Sequence, residues 1–182
     1  CASGFCVGQV CATVVTSGLE SPTSLYVDSQ HVYWTAEGAV QRSPRLGGAA
    51  QTLTTFAGGA SAITGDATHV YWAGNTSAEG PGAVHSRAKA DGMSSVVASS
   101  PAAIADAPVP GNYVYWPEVH AGSTFIIQSS KQGGLPVESL GFAPGRPYRL
   151  VASSRALYWA SPTSGRLFRR PYYPSDVAEL ST

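Results

Sequence analysis

The side chains in this sequence with the chemistry for acid–base work or metal binding are four histidines and a few carboxylates in polar segments. His31 and His69 fall at matching places in two similar strings, whereas His85 and His120 share no such context. A position that recurs with a repeat generally serves the repeat, so His31 and His69 are read as structural. Glu37, Glu79 and Glu118 each follow a Tyr-Trp dipeptide, and His120 stands close behind the last of them. Were those segments loops gathered on one side of a repeated scaffold, the carboxylates would converge as a glycosidase pair or a Ca²⁺ site requires. Their offsets from the tryptophan differ (three, seven and two residues), so Glu37, Glu79, Glu118 and His120 are taken as a ligand-binding set and no residue is assigned as catalytic. The sequence holds no G-x-S-x-G, no H-E-x-x-H, no phosphate-cradling glycine loop and no Cys beside a His, so neither a metal nor a cofactor is expected.

Arg166, Arg169, Arg170, Tyr172 and Tyr173 form the one dense basic-aromatic cluster, a candidate contact for a partner protein or a sugar. The other basic residues, among them Arg42, Arg45, Arg87, Lys89 and Lys131, recur on or just after one strand of each repeat, where the expected role is edge protection by charge. Eleven basic side chains balance eleven acidic ones, which leaves no field for a phosphate backbone. Only 12% of residues are charged, about half the usual share, which suits an extracellular or cell-surface setting. No apolar run reaches the roughly 18 residues of a membrane helix.

All three cysteines fall within the first eleven residues. They lack the four-ligand spacing of a zinc site, so a local disulfide is expected, with Cys6 and Cys11 oxidised, with each other or with Cys1. The odd thiol leaves three readings open for Cys1: a lipid-bearing residue, a bond to an upstream residue, or a bond to a second chain.

What would position these groups is a repeat. Tyr-Trp occurs at Tyr33-Trp34, Tyr71-Trp72, Tyr115-Trp116 and Tyr158-Trp159, at spacings of 38, 44 and 43 residues, and these use all four tryptophans of the chain. Ser24-Leu-Tyr-Val-Asp28 before the first dipeptide is matched by Ala62-Ile-Thr-Gly-Asp66 before the second, and more loosely by residues before the third and fourth. Each repeat reads as a short strand, a tight turn, the aromatic strand, a variable loop, and two further strands joined by Gly-Gly, Asp-Gly or Pro-Ser-Asp turns. Four antiparallel strands in about 40 residues make a propeller blade, and no segment has helical periodicity.

The expected fold is therefore all-β: a β-propeller-type repeat of four four-stranded antiparallel blades, over about 18–56, 57–98, 99–141 and 142–182. Residues 1–17 form a cysteine-containing segment with one surplus strand, Val10 to Thr16. The four tryptophans should lie buried at equivalent positions.

These strings resemble the Tyr-Trp β-propeller repeats of the YWTD and NHL type. They look most similar to secreted alanine- and glycine-rich repeat proteins of myxobacteria, in which a motif like Cys6-Val-Gly-Gln-Val-Cys11 precedes strings like Asp66-Ala-Thr-His-Val-Tyr-Trp72. The resemblance implies a secreted module. It also implies closure with six blades, where this chain shows four, and an Asp after Tyr-Trp-Thr that is missing here. The function expected is non-enzymatic display, adhesion or self-assembly, with a carbohydrate-binding propeller as the alternative and a lyase or hydrolase behind it. An open four-blade arc predicts partnership with further copies of itself or with another protein; the competing reading is a closed four-bladed monomer or a piece of a longer chain.

Overall fold

In the computed structural model the described residues are 6–7, 10–11, 14–36, 38–55, 60–75, 81–133, 136–173 and 178–179, and all their regular structure is β. A two-stranded hairpin, β1 (Cys6–Val7) and β2 (Val10–Cys11), precedes four separate sheets. Blade 1 comprises β3 (Pro22–Val27), β4 (His31–Ala36), β5 (Ala39–Pro44) and β6 (Gln51–Thr55). Blade 2 comprises β7 (Ala60–Gly65), β8 (His69–Asn75), β9 (Gly82–Ala88) and β10 (Ser94–Ser100). Blade 3 has β11 (Ala103–Ile104), β12 (Val109–Pro110), β13 (Val114–His120), β14 (Ser123–Ser129) and β15 (Glu138–Phe142). Blade 4 has β16 (Tyr148–Ala152), β17 (Ala156–Ser161), β18 (Arg166–Pro171) and β19 (Ala178–Glu179). Every blade is an antiparallel meander.

Local chemistry sets the turns. Asp28 Oδ1 accepts from the amides of Gln30 and His31, and Asp66 Oδ1 from those of Thr68 and His69, closing the first hairpin of blades 1 and 2. Ser153 does the same in blade 4 with Arg155 and Ala156. In blade 3 the longer, proline-bearing insertion splits the first strand, so that β11 pairs with one end of β13 and β12 with the other. Ala121 and Gly122, both at positive φ, make the two-residue turn from β13 to β14.

Alternation along each second strand puts Tyr on one face and Trp on the other. All four tryptophans are at most 2% exposed, as the repeat requires. The faces meet in three layers. Tyr33, Val40 and Leu53 pack on Ile63, Val70 and Trp72 between blades 1 and 2. Tyr71, Val84 and Val97 pack on Ile104, Val114 and Trp116 between blades 2 and 3. Tyr115 and Ile126 pack on Leu150, Leu157, Trp159 and Phe168 between blades 3 and 4. The Tyr face of one blade thus meets the Trp face of the next. Gly65 permits one close approach: a Cβ there would lie 2.5 Å from the Tyr26 ring of blade 1.

Two expectations are corrected. The surplus strand is present but shorter than Val10 to Thr16: β2 covers Val10–Cys11, pairs with β1 rather than with a blade, and residues 14–16 lie outside any strand. The basic residues of the third strands do not guard edges, because those strands lie inside the sheets and the fourth strands are outermost. Arg42 instead donates to Gln51, and Arg87 to the Leu53 carbonyl and Ser94.

Candidate functional site: the end faces and the joints between blades

Of the expected ligand set, Glu37 and Glu79 lie outside the described residues, as does Cys1. Glu118 and His120 are brought together, though not in a loop. The two-residue turn lets β13 run on through His120, so Glu118 is a strand residue, buried on the Trp116 face. Its carboxylate accepts from Trp116 Nε1 at 2.7 Å and lies 2.8 Å from His120 Nε2. The imidazole also meets the edge of Phe125, with ring centroids 5.7 Å apart. This pair orients a half-exposed histidine through a buried carboxylate. Among the described residues, no three His, Cys, Asp or Glu side chains form a metal-holding group.

A different pair of acids joins the blades. Asp28 Oδ2 accepts from Tyr33 Oη at 3.1 Å and from Lys89 Nζ of blade 2 at 2.9 Å. Asp66 Oδ2 repeats the arrangement with Tyr71 at 3.1 Å and Lys131 of blade 3 at 2.8 Å. Lys89 also donates to the Asp66 carbonyl and stands over the Tyr26 and Tyr33 rings. Burial alone would raise both aspartate carboxyls; the lysine hydrogen bonds, the turn amides and the lysine charges outweigh it and hold both well below the ordinary carboxylate range. Burial and the Asp66 charge push the Tyr71 hydroxyl well above its usual value, so it remains a donor. These clamps tie blades together in a chain that lacks the Asp of the Tyr-Trp-Thr-Asp pattern. Between blades 3 and 4 the joint differs. Tyr172 takes the lysine's place, stacks on Tyr115 at 5.6 Å and donates to the Ser153 carbonyl, while Asp106 accepts from the Arg149 amide.

The basic-aromatic cluster is not one patch. Alternation along β18 sends Arg166, Phe168 and Arg170 to the face packed on blade 3, and Leu167 and Arg169 to the opposite face. Tyr172 belongs to the blade 3–4 joint, and Tyr173 is exposed.

That opposite face is what distinguishes blade 4. Val40 and Val84 are fully buried where Leu167, at the same repeat position, is 51% exposed, and Val151 beside it is 57% exposed. Tyr158 is only partly buried, whereas Tyr33, Tyr71 and Tyr115 are buried. With Arg149 and Ala160 these residues line a shallow, almost wholly apolar groove. The Trp face of blade 1 matches it. Leu25 is 65% exposed, although its counterparts Ile63 and Leu150 are buried. Trp34 of that face is itself covered, with its indole N–H donating to Gln41. Trp72 has no such partner and stacks on His85 at 5.5 Å instead. Among the described residues the blades therefore form three joints, with Leu25 of blade 1 and Leu167 of blade 4 exposed on the faces outside them.

The sequence matches no family model and no curated protein. The fold does have counterparts among solved structures. A nidogen/laminin complex is similar at a TM-score of 0.75 and 12% identity, over 96% of this chain and 67% of that one. The WD40 β-propeller domain of Doa1 is similar at a TM-score of 0.65 and 17% identity, over 91% of this chain and 56% of that one. The computationally designed Ika4 protein is covered completely, with 96% of this chain, a TM-score of 0.63 and 14% identity. The chain spans 42% of TolB from Acinetobacter baumannii, at a TM-score of 0.66 and 13% identity. Identities this low speak to architecture alone, and the architecture is that of a β-propeller built of four blades.

Proposed function

We propose that this chain is a secreted or cell-surface, non-enzymatic module that associates with protein through the two end faces of its blade array. The exposure of Leu25 and Leu167, at repeat positions buried wherever a neighbouring blade exists, carries the reading. Sheet faces of this composition are normally covered, and contiguous exposed apolar surface marks interaction sites. The low share of charged residues and the N-terminal hairpin support an oxidising, extracellular setting. The register sets Cys6 directly opposite Cys11, and opposed residues in antiparallel strands have Cα atoms about 4.5–5.5 Å apart, within disulfide reach. We propose that these two cysteines are bonded to each other.

The end-face reading is tested by a matched pair of substitutions. Leu167→Glu should change unfolding free energy by less than about 0.5 kcal/mol in dilute solution, since the site faces water. Val84→Glu, at the equivalent covered position, buries an unpaired charge and should cost several kcal/mol. Equal damage from both, measured by urea unfolding, would mean that the blade 4 face is closed in the free chain and unavailable to any partner.

A further inference from the structure

In a four-stranded meander the turn from first to second strand and the connection from third to fourth lie at the same end of the sheet. The equivalent connections of all four blades therefore gather on one side of the array. In each blade the connection from third to fourth strand carries a large apolar side chain turned to water. Leu46 of blade 1 is 92% exposed, Met93 of blade 2 70%, Val137 of blade 3 44% and Tyr173 of blade 4 94%. Among the described residues of the blades, every large apolar side chain exposed outside a strand lies on this side: these four, and Tyr113 in the turn before β13. Blade stacking does not cover them. Met93 and Val137 belong to blades with a neighbour on both sides and are exposed nonetheless, because the connections run past the ends of the packed strands.

We propose that this row of tips binds a lipid surface with zwitterionic headgroups, each apolar side chain entering the boundary between headgroups and acyl chains. The surface is separate from the blade faces of the functional reading above, and the proposal does not rest on that reading.

The tips are separate projections, one per blade. A folded partner would need a matched pocket for each, whereas a fluid interface accepts any set that reaches a common plane. Side-chain type runs through Leu, Met, Val and Tyr while apolar character is kept. Partition into a fluid apolar phase requires only that character, since the hydrophobic effect is non-directional; a fitted pocket requires shape as well. Tyr113 and Tyr173 add rings with one apolar and one polar end, the kind favoured at headgroup level. The charges on this side balance. Lys89 and Lys131 engage Asp28 and Asp66, while Arg45, Arg155 and Asp91 stand exposed on the same side as the tips. Such a side complements a headgroup layer that carries phosphate and ammonium together, and it has no basic cluster to select a purely anionic one. Attachment then comes from shallow apolar insertion and is reversible.

Flotation with phosphatidylcholine vesicles tests the proposal. The intact chain should float with them, and equally well at low and at high salt, because the attraction is not one of net charge. Leu46→Ser alone and Tyr173→Ser alone should each weaken partition by about tenfold. Leu46→Ser, Met93→Ser, Val137→Ser and Tyr173→Ser together should abolish it and leave the urea midpoint where it was, since all four sites face water. The single variants carry the same test should the combined one prove less stable. Three results overturn the proposal. An intact chain that stays with the soluble fraction at every lipid concentration would assign the row to a protein partner instead. Flotation only after phosphatidylglycerol is added, and lost in high salt, would show adsorption by charge. Undiminished flotation of the combined variant would place the lipid contact on another surface.

Discussion

Replacing Trp116 by Ala is expected to cost about 3–5 kcal/mol, the range for emptying a buried aromatic site. Among the four tryptophans it is the one with most to lose. It is fully buried in the layer between blades 2 and 3, packed among Tyr71, Val84 and Ile127. Its indole N–H is also one of two donors holding the buried Glu118 carboxylate, and the deletion leaves that carboxylate to His120 alone. Against a total stability on the order of 5–15 kcal/mol, the change should leave much of the population unfolded at moderate temperature. Trp116→Phe keeps most of the volume and loses the hydrogen bond, so its cost should be clearly smaller. A denaturant midpoint for Trp116→Ala close to that of the unaltered chain would show that the layer collapses around the gap or was never tightly filled.

The second large effect is expected at the clamps. Asp66→Ala removes the acceptor for two turn amides, the Tyr71 hydroxyl and Lys131, and should cost about 2–3 kcal/mol. The pH dependence follows from the same contacts. Both clamp carboxyls titrate lower in the folded chain than in the unfolded one. Their stabilisation is therefore complete above the unfolded value near 3.9 and is lost as the pH falls below it. Between pH 5 and pH 2 the unaltered chain should lose stability more steeply than a chain carrying Asp28→Asn and Asp66→Asn. Parallel acid profiles for the two would show that these carboxyls are not held in their charged form by folding.

The blade count was legible because each inter-sheet layer needs a large aromatic pair, and the chain spends every tryptophan on that need at near-constant spacing. The clamps were not legible. Asp28 and Asp66 are visible as turn residues, but Lys89 and Lys131 belong to the following blades, more than sixty residues away, and only the stacking of sheets pairs them. Glu118 read as a loop residue because the shortness of the Ala121-Gly122 turn, which keeps it in a strand, is a local backbone matter. The Arg166 to Tyr173 cluster is dense along the sequence yet divided in space, since alternation in a strand separates neighbours onto opposite faces. Openness at the ends could not be read from Leu25 or Leu167 themselves. They are the residue types that every joint uses, and only their exposure in the folded chain marks them.

The measurement that addresses this most directly is hydroxyl-radical labelling with mass-spectrometric readout, on protein held dilute enough to be monomeric. Leu25 and Leu167 should be oxidised readily, while their repeat counterparts Ile63, Leu150, Val40 and Val84 stay protected. If Leu25 and Leu167 are instead as protected as those counterparts, blade 4 is closed on blade 1, and the molecule is a sealed ring with no end faces to offer.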